Sequence, residues 1–462
     1  MKKGIMLIAA VCLLAGCAGK SPVDREPAVV TETETSYEGE ISEDTDATPV
    51  AGSADGQNGE ADAEADIPVL RDSVRAGFGG FAGCAVTGSE ADDPGVWKII
   101  TTHFERVTLG NELKPDAMFG YSVSTCPGTQ TEELNGEDII VPRLDHSRAD
   151  YLLDKFLKWN EENPDRKIMI RGHVLVWHSQ TPEWFFHEEY DKNKPYVSAQ
   201  EMDKRLEWYI RSMLTYYTGE GSRYKDLFYG WDVVNEAISD GTGTYRTEAE
   251  NPSEPLSDDR HGSNSSWWAV YKSEQFIINA FKYANKYAPA ELELYYNDYN
   301  ECVGKKKYGI IKLLNEIKAQ EGAPGEGTRI SAMGMQGHYG MDDPSVIEIQ
   351  SAIQQYSEVV GKVQLTEVDI SASADYDGSE AKKPAEYEKL ENRYNVIWNS
   401  LKIANKNGET VEGITFWGTA DHYSWLQSRS NVGGGSRTGL PQCPLLFDEN
   451  YEPKSCFYVF TK

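Results

Sequence analysis

Basic residues are scarce in this sequence: 45 Lys and Arg stand against 74 Asp and Glu in 462 residues, a net charge of −29. A surface of that sign repels a polyanion over most of its area, which excludes nucleic acid as a partner. Cysteine is sparse as well. The seven cysteines form no Cys-x-x-Cys pair and no Cys/His cluster at metal-ligand spacing, so neither a catalytic metal nor another cofactor is expected. The apolar run at residues 5–15 is too short to span a bilayer. Between residues 67 and 462 there is no internal repeat and no Pro/Ser-rich linker, which favours one large domain over two ordinary ones.

What the chain does have begins with a leader. Lys2 and Lys3 precede that apolar run, which ends in Leu14-Ala15-Gly16-Cys17. The pattern resembles a bacterial lipoprotein signal: residues 1–16 leave, and Cys17 takes lipid on its sulfur. Membrane contact is then through the lipid anchor only, at the cell surface. Residues 17–66 follow as an acidic linker; from residue 21 to 66, fourteen acids face the single base Arg25, with Tyr37 the only aromatic. Such a stretch has too little apolar surface to fold and is expected to be a disordered tether. Of the other cysteines, Cys84, Cys126, Cys302, Cys443 and Cys456 leave the pairing open in an exported protein.

From residue 67 strand-like and helix-like stretches alternate. Strands are predicted near 78–86, 105–111, 168–176, 228–236, 291–297, 329–336, 361–368 and 411–417, with amphipathic helices such as 149–159, 200–214 and 276–287 between them. Eight strands in about 400 residues fit an α/β fold of the (β/α)₈ TIM barrel type with long loops. Segments 117–147 and 237–264 are the longest connections, and both are predicted to wall a cleft at the carboxyl ends of the strands.

Two strands end abruptly in carboxylates. Trp231-Asp232-Val233-Val234-Asn235 runs into Glu236, and Val363-Gln364-Leu365-Thr366 into Glu367. Two facing carboxylates are the minimum equipment for cleaving a glycosidic bond. Eleven Trp and 26 Tyr add flat platforms of the sort that sugar rings stack on. Asp369 falls two residues beyond Glu367 on the same strand face, and His338 is placed to hydrogen-bond between those acids, keeping Glu367 ionised.

Asn111-Glu112-Leu113-Lys114-Pro115, the stretch from Arg171 through His173, Trp177 and His178 to Gln180, Trp231 through Glu236, Tyr296-Asn297-Asp298-Tyr299, Gln336-Gly337-His338, Thr366-Glu367-Val368-Asp369, and Trp417 with Trp425 together resemble the ordered motif set of glycoside hydrolase family 10. The resemblance covers about 70–462 and implies a (β/α)₈ endo-β-1,4-xylanase acting on xylan and xylo-oligosaccharides without a cofactor; a monomer is expected. It implies that Glu236 is the acid/base and Glu367 the nucleophile of a retaining double displacement, with the two carboxyls about 5–5.5 Å apart. Asn235 then matches the residue that binds the substrate 2-hydroxyl, and His338 and Asp369 match the nucleophile's support. Asn111, Lys114, His173 and Trp177 match glycone-side sugar contacts, with His178 behind them. Gln336 matches a nearby polar contact, Trp417 and Trp425 an aromatic pair near the scissile sugar, and Tyr299 an aglycone-side contact. The sequence departs from the family at Gly110, where a Glu that binds the second glycone sugar often stands; a group from 117–147 or a decorated xylose is expected to fill the space.

Two other readings are compatible with these residues. One is a hydrolase of β-1,4-glucan or mixed-linkage glucan, disfavoured by the bulk of Trp417 and Trp425. The other is a non-catalytic glycan-binding surface lipoprotein, which has no need of both carboxylates.

Overall fold

The structure, a computed structural model, describes residues 67–253, 263–408, 410–428 and 441–462. The leader 1–16, Cys17, the acidic linker to residue 66 and part of the 237–264 loop lie outside the described residues.

Eight strands form the barrel: β1 Phe81–Val86, β2 Arg106–Leu109, β3 Met169–Gly172, β4 Phe228–Asn235, β5 Glu293–Asp298, β6 Ala332–Met335, β7 Lys362–Ser371 and β8 Thr410–Phe416. Neighbours pair in parallel in chain order, and β8 pairs with β1, so the sheet has no free edge. Each falls on one of the eight stretches predicted from sequence. The longer helices are α1 Leu70–Phe78, α2 Pro94–His103, α3 Ser147–Glu162, α4 Ala199–Thr218, α5 Gln275–Tyr287, α6 Gly304–Lys318, α7 Val346–Val360 and α8 Lys383–Asn407. This is the TIM barrel expected.

The strands that matter most are buried almost throughout. In β4 only Tyr229 is half-exposed, and in β7 only Lys362 at its start. A parallel strand covered on both faces needs such a run, and its side chains are then fixed by packing. The lead-in to β7 is equally determined. Ser345 and Glu348 form a capping box at the start of α7, and Gly361 ends that helix with φ of 81°, a left-handed turn that passes the chain into Lys362. Gly172 at the end of β3 admits no side chain, because a Cβ there would stand 2.1 Å from the Trp231 ring.

Part of the barrel interior is polar. The Arg171 guanidinium is buried, bonds both oxygens of Asp232, donates to Gln364 Oε1 at 2.7 Å and lies 4.0 Å from the centre of the Tyr295 ring. Gln364 in turn donates to Thr415 at 3.1 Å. Charge neutralisation and full hydrogen bonding are what make such burial tolerable.

One expectation is corrected. Segment 117–147 does not simply wall the cleft: its residues 129–142 form an antiparallel hairpin, Thr129–Leu134 with Glu137–Pro142, that docks on the helices. Glu132 accepts from Trp208 Nε1 at 3.0 Å and Asn135 donates to Glu207 at 2.9 Å, both on α4, while Lys286 near the end of α5 reaches Asn135 at 3.1 Å. Because α5 runs away from the carboxyl ends of the strands, the hairpin tip lies toward the opposite face of the barrel. The five cysteines left open by the sequence, Cys84, Cys126, Cys302, Cys443 and Cys456, are free thiols, all but Cys126 buried.

Candidate active site

Glu236 follows directly on β4 and adopts φ of 56°, a left-handed conformation that costs a non-glycine residue about 1–2 kcal/mol. Both flanking bonds hold it there. Its N–H donates to the Asn297 carbonyl at 2.9 Å, and its carbonyl accepts from Arg246 Nε at 3.1 Å. The carboxylate is half-buried and accepts from Trp177 Nε1 at 2.8 Å on one oxygen and from Gln336 Nε2 at 2.9 Å on the other. Trp177 and Gln336 are thus carboxylate partners as well as lining groups.

Glu367 lies within β7 and is buried. Asn297 Nδ2 donates to its Oε1 at 2.7 Å, and His338 Nε2 lies 3.2 Å from its Oε2. The other ring nitrogen of His338 is 2.8 Å from Asp369 Oδ1, and Asp369 Oδ2 accepts from Trp425 Nε1 at 2.6 Å. His338 therefore bridges the two acids as the sequence suggested. Burial by itself would lower its pKa, but the charge and hydrogen bond of Asp369, followed by those of Glu367, raise it to about 10. Burial likewise pushes Glu367 up, yet the hydrogen bond from His338, the charges of His173 and His338 and the Asn297 bond leave its carboxyl below the usual range. Glu367 is an anion at neutral pH.

The two carboxylates are tied together through few atoms. Gln336 donates to Glu236 and, at 3.2 Å, to Asn235 Oδ1, while its carbonyl accepts the Glu367 N–H at 2.7 Å. Asn297 Nδ2 bonds Asn235 Oδ1 at 2.9 Å as well as Glu367, and Thr366 fixes its carbonyl oxygen at 2.7 Å.

On the side assigned to the glycone, Lys114 Nζ donates to Asn111 Oδ1 at 2.9 Å and lies 5.3 Å from the Trp177 ring centre. His173 Nδ1 is 2.9 Å from Asp232 Oδ2. Burial raises Asp232, but Arg171 and then His173 outweigh it and hold the carboxyl below its ordinary range. Trp417 stands edge-on to His173 at 5.5 Å and to His338 at 6.2 Å, and Trp425 lies 5.0 Å from His338, so both indoles border the acids. His178 is packed beside Trp177 with its Nδ1 buried and unpartnered.

Tyr299 follows directly on β5 and is joined to Glu236 through Arg246, which bonds both the Tyr299 hydroxyl and the Glu236 carbonyl. Its hydroxyl donates to Asp240 and accepts from Arg246 at 3.3 Å, and Lys306 Nζ lies 3.5 Å from its ring centre. At Gly110 a Cβ would meet Thr87 Cγ2 at 3.2 Å. The nearby Glu112 does not offer a free carboxylate in compensation, since it accepts from Gly88 N–H at 2.7 Å and Asn111 N–H at 3.2 Å. The 129–142 hairpin docks on α4, but Tyr121 of the same segment lies near Glu112: burial first, then the charges of Asp116 and Glu112, raise its pKa.

The glycan-site residues predicted from sequence lie in the carboxyl-terminal half of a barrel strand or just beyond it, while Cys17 falls outside the described residues. The structure adds Asn297 and Asp232, which the sequence reading passed over. Asn297 had a signal: it stands at the polar end of a hydrophobic strand within a quoted motif, one residue before Asp298 closes that strand. Asp232 had only its place in a buried strand, where a lone acid demands a partner.

Residues 70–462 match the family model described as glycosyl hydrolase family 10. Endo-1,4-β-xylanase A of Butyrivibrio fibrisolvens is 30% identical over 377 residues, covering 77% of this chain and 79% of the relative. A bifunctional endo-1,4-β-xylanase of Ruminococcus flavefaciens is 31% identical over 356 residues; the match takes 77% of this chain but spans only 30% of that relative's length. Among solved structures, an endo-1,4-β-D-xylanase of Clostridium thermocellum complexed with xylohexaose superposes with a TM-score of 0.66 at 28% identity, over 86% of this chain and 67% of that one. A family 10 structure from Paenibacillus barcinonensis gives a TM-score of 0.66 at 26% identity, over 86% and 97%.

Proposed function

The chain belongs to glycosyl hydrolase family 10, and on that premise we propose that it is a retaining endo-β-1,4-xylanase. Glu367 attacks the anomeric carbon and forms a covalent glycosyl-enzyme while Glu236 gives its proton to the leaving oxygen. Glu236 then takes a proton from water, which attacks the same carbon from the opposite side and restores the original configuration. Asn235 binds the 2-hydroxyl, and its own carbonyl is already aimed by Asn297 and Gln336. Asn111, Lys114, His173 and Trp177 hold the glycone, Trp417 and Trp425 crowd a hexose hydroxymethyl group, and Tyr299 borders the aglycone. The observation that carries this reading is the asymmetry of the two acids: Glu367 is buried on an imidazolium and an amide, and Glu236 is half-buried between an indole and a second amide.

The test is azide rescue with 2,4-dinitrophenyl β-xylobioside. In Glu236→Ala, azide intercepts the covalent intermediate and yields the β-glycosyl azide; in Glu367→Ala, it attacks the substrate directly and yields the α-azide. Near-normal xylan hydrolysis by either variant, or the opposite stereochemistry, overturns the assignment. The product ladder from arabinoxylan checks the endo mode, which release of xylose alone would contradict. Comparing rates on xylan, carboxymethylcellulose and lichenan separates xylan from glucan as the main substrate.

The location is also a proposal. Leu14-Ala15-Gly16-Cys17 after a short apolar run supports export and lipid anchoring at Cys17, with the acidic linker giving the catalytic body reach to a bulky polymer. Cys17→Ala is expected to release the enzyme from the membrane fraction, and retention of the variant there would argue against the anchor.

A further inference from the structure

Lys306 lies in the first turn of α6 and is buried, its ammonium 2.9 Å from both Asp298 Oδ1 and Asp240 Oδ1. Asp298 ends β5 and is equally buried; its second oxygen accepts from the Tyr296 hydroxyl at 2.5 Å. That hydroxyl in turn accepts the Ala237 N–H at 3.0 Å, immediately after the left-handed Glu236. The Asp298 backbone is committed as well, its carbonyl accepting the Gln336 N–H at 3.0 Å while the Gln336 side chain reaches Glu236. A continuous line of hydrogen bonds, charge-assisted at Lys306 and the Asp298 carboxylate, thus runs to both sides of Glu236.

We propose that Lys306, Asp298 and Tyr296 are positioning residues for the acid/base: they hold the turn at Glu236 and Ala237 so that the Glu236 carboxyl meets the leaving oxygen. The inference rests on the assignment of Glu236 as acid/base. Stability alone gives little reason to keep this chain, because a buried ion pair is frequently replaced by apolar groups at no loss. Direction is what it supplies. Tyr296 is held as a donor toward Asp298, so its oxygen lone pairs face Ala237 N–H, and Lys306 keeps Asp298 charged against burial, which pushes that acid up to about 6. Without the lysine the carboxyl takes a proton, Tyr296 is free to turn, and the strained φ of 56° at Glu236 loses one of its restraints.

A misplaced acid slows only those substrates whose leaving group needs a proton, whereas general damage to the fold slows all of them. The experiment compares kcat/KM, which reports glycosylation, for 2,4-dinitrophenyl and phenyl β-xylobioside in wild type, Tyr296→Phe, Lys306→Met and Glu236→Ala. Tyr296→Phe and Lys306→Met are expected to lose at least about tenfold on the phenyl substrate, within the 10²–10⁴-fold range of general acid catalysis, and to stay within about twofold of wild type on the dinitrophenyl one. Equal losses on both substrates, or no loss in Tyr296→Phe, would overturn the proposal while Glu236→Ala still separates the two. If Glu236→Ala fails to separate them, the acid/base assignment and the relay fall together. Tyr296→Phe removes one oxygen and keeps the test valid should Lys306→Met not fold.

Discussion

Asn297 Nδ2 stands 2.7 Å from Glu367 Oε1, so an amide one residue from the end of β5 stabilises the carboxylate carried by β7. The same nitrogen bonds Asn235, which makes Asn297 a common support for Glu367, the proposed nucleophile, and for Asn235, the proposed partner of the 2-hydroxyl.

Removing that amide is expected to damage chemistry more than binding. Asn297→Ala should lower kcat on xylan by about 10²-fold, in the range found for a single lost charge-stabilising donor, with little change in KM. Asn297→Asp should additionally place a second anion beside Glu367, raise its pKa and move the acid limb of the pH–rate profile upward. Initial rates across pH decide both points; an unmoved acid limb in Asn297→Asp would argue that the contact does not form.

His338 predicts how stability depends on alkali. Its folded pKa of about 10 lies above the ordinary 6.5, so the imidazolium's contribution is complete below pH 6.5 and is lost as pH climbs toward 10. Glu367, whose folded pKa is lowered, works in the other direction: its contribution holds above the ordinary carboxylate range and fades as pH falls. The gap in unfolding midpoint between wild type and His338→Asn is therefore expected to narrow steadily from pH 6.5 to 10, and a gap constant over that window would contradict the bridge. Thermal melts at fixed ionic strength measure it.

Among the described residues, Asp232 is the carboxylate that pairs with Arg171 in the barrel interior, and it also fixes His173. Asp232→Asn leaves a buried guanidinium short of its counter-charge, and breaking such a pair from one side costs about 3–5 kcal/mol. Denaturant unfolding is expected to register that loss, and KM for xylo-oligosaccharides should rise as the His173 ring loses its anchor. A loss under about 1 kcal/mol would mean that the interior relaxes to compensate.

The 129–142 hairpin offers a contrasting case. It touches α4 and α5 rather than the acids, so replacing it with a short turn should leave kcat/KM on xylohexaose within about twofold while lowering the melting temperature, because Trp208 and Arg211 lose their partner Glu132. A large fall in activity at unchanged stability would return the hairpin to the cleft.

Much of this protein was legible in its residues. Hydrophobic runs such as Phe228–Asn235 and Lys362–Ser371 gave strand positions, because a strand buried on both faces has no choice of composition. The acids of such runs, Glu236 just past the first and Glu367 inside the second, marked the candidate site, since a buried carboxylate is either functional or paired. The hairpin was not legible, because Asn135-Gly136 signals a turn but nothing local says which surface it will cover. Lys306 was equally silent: a lysine in a helix's first turn reads as a solvated charge until the fold closes over it.

By itself, then, the sequence determined the number and order of strands, the two acids and the charge that excludes polyanions, all properties written in local composition and period. Only the tertiary structure decided which groups meet. His338 reaching both Asp369 and Glu367, Asn297 spanning Asn235 and Glu367, and Lys306 standing behind Glu236 join residues from different strands and helices. Their contact, and the protonation states that follow from it, depends on barrel closure, which brings distant strand ends within hydrogen-bond range and removes the water that would otherwise screen them.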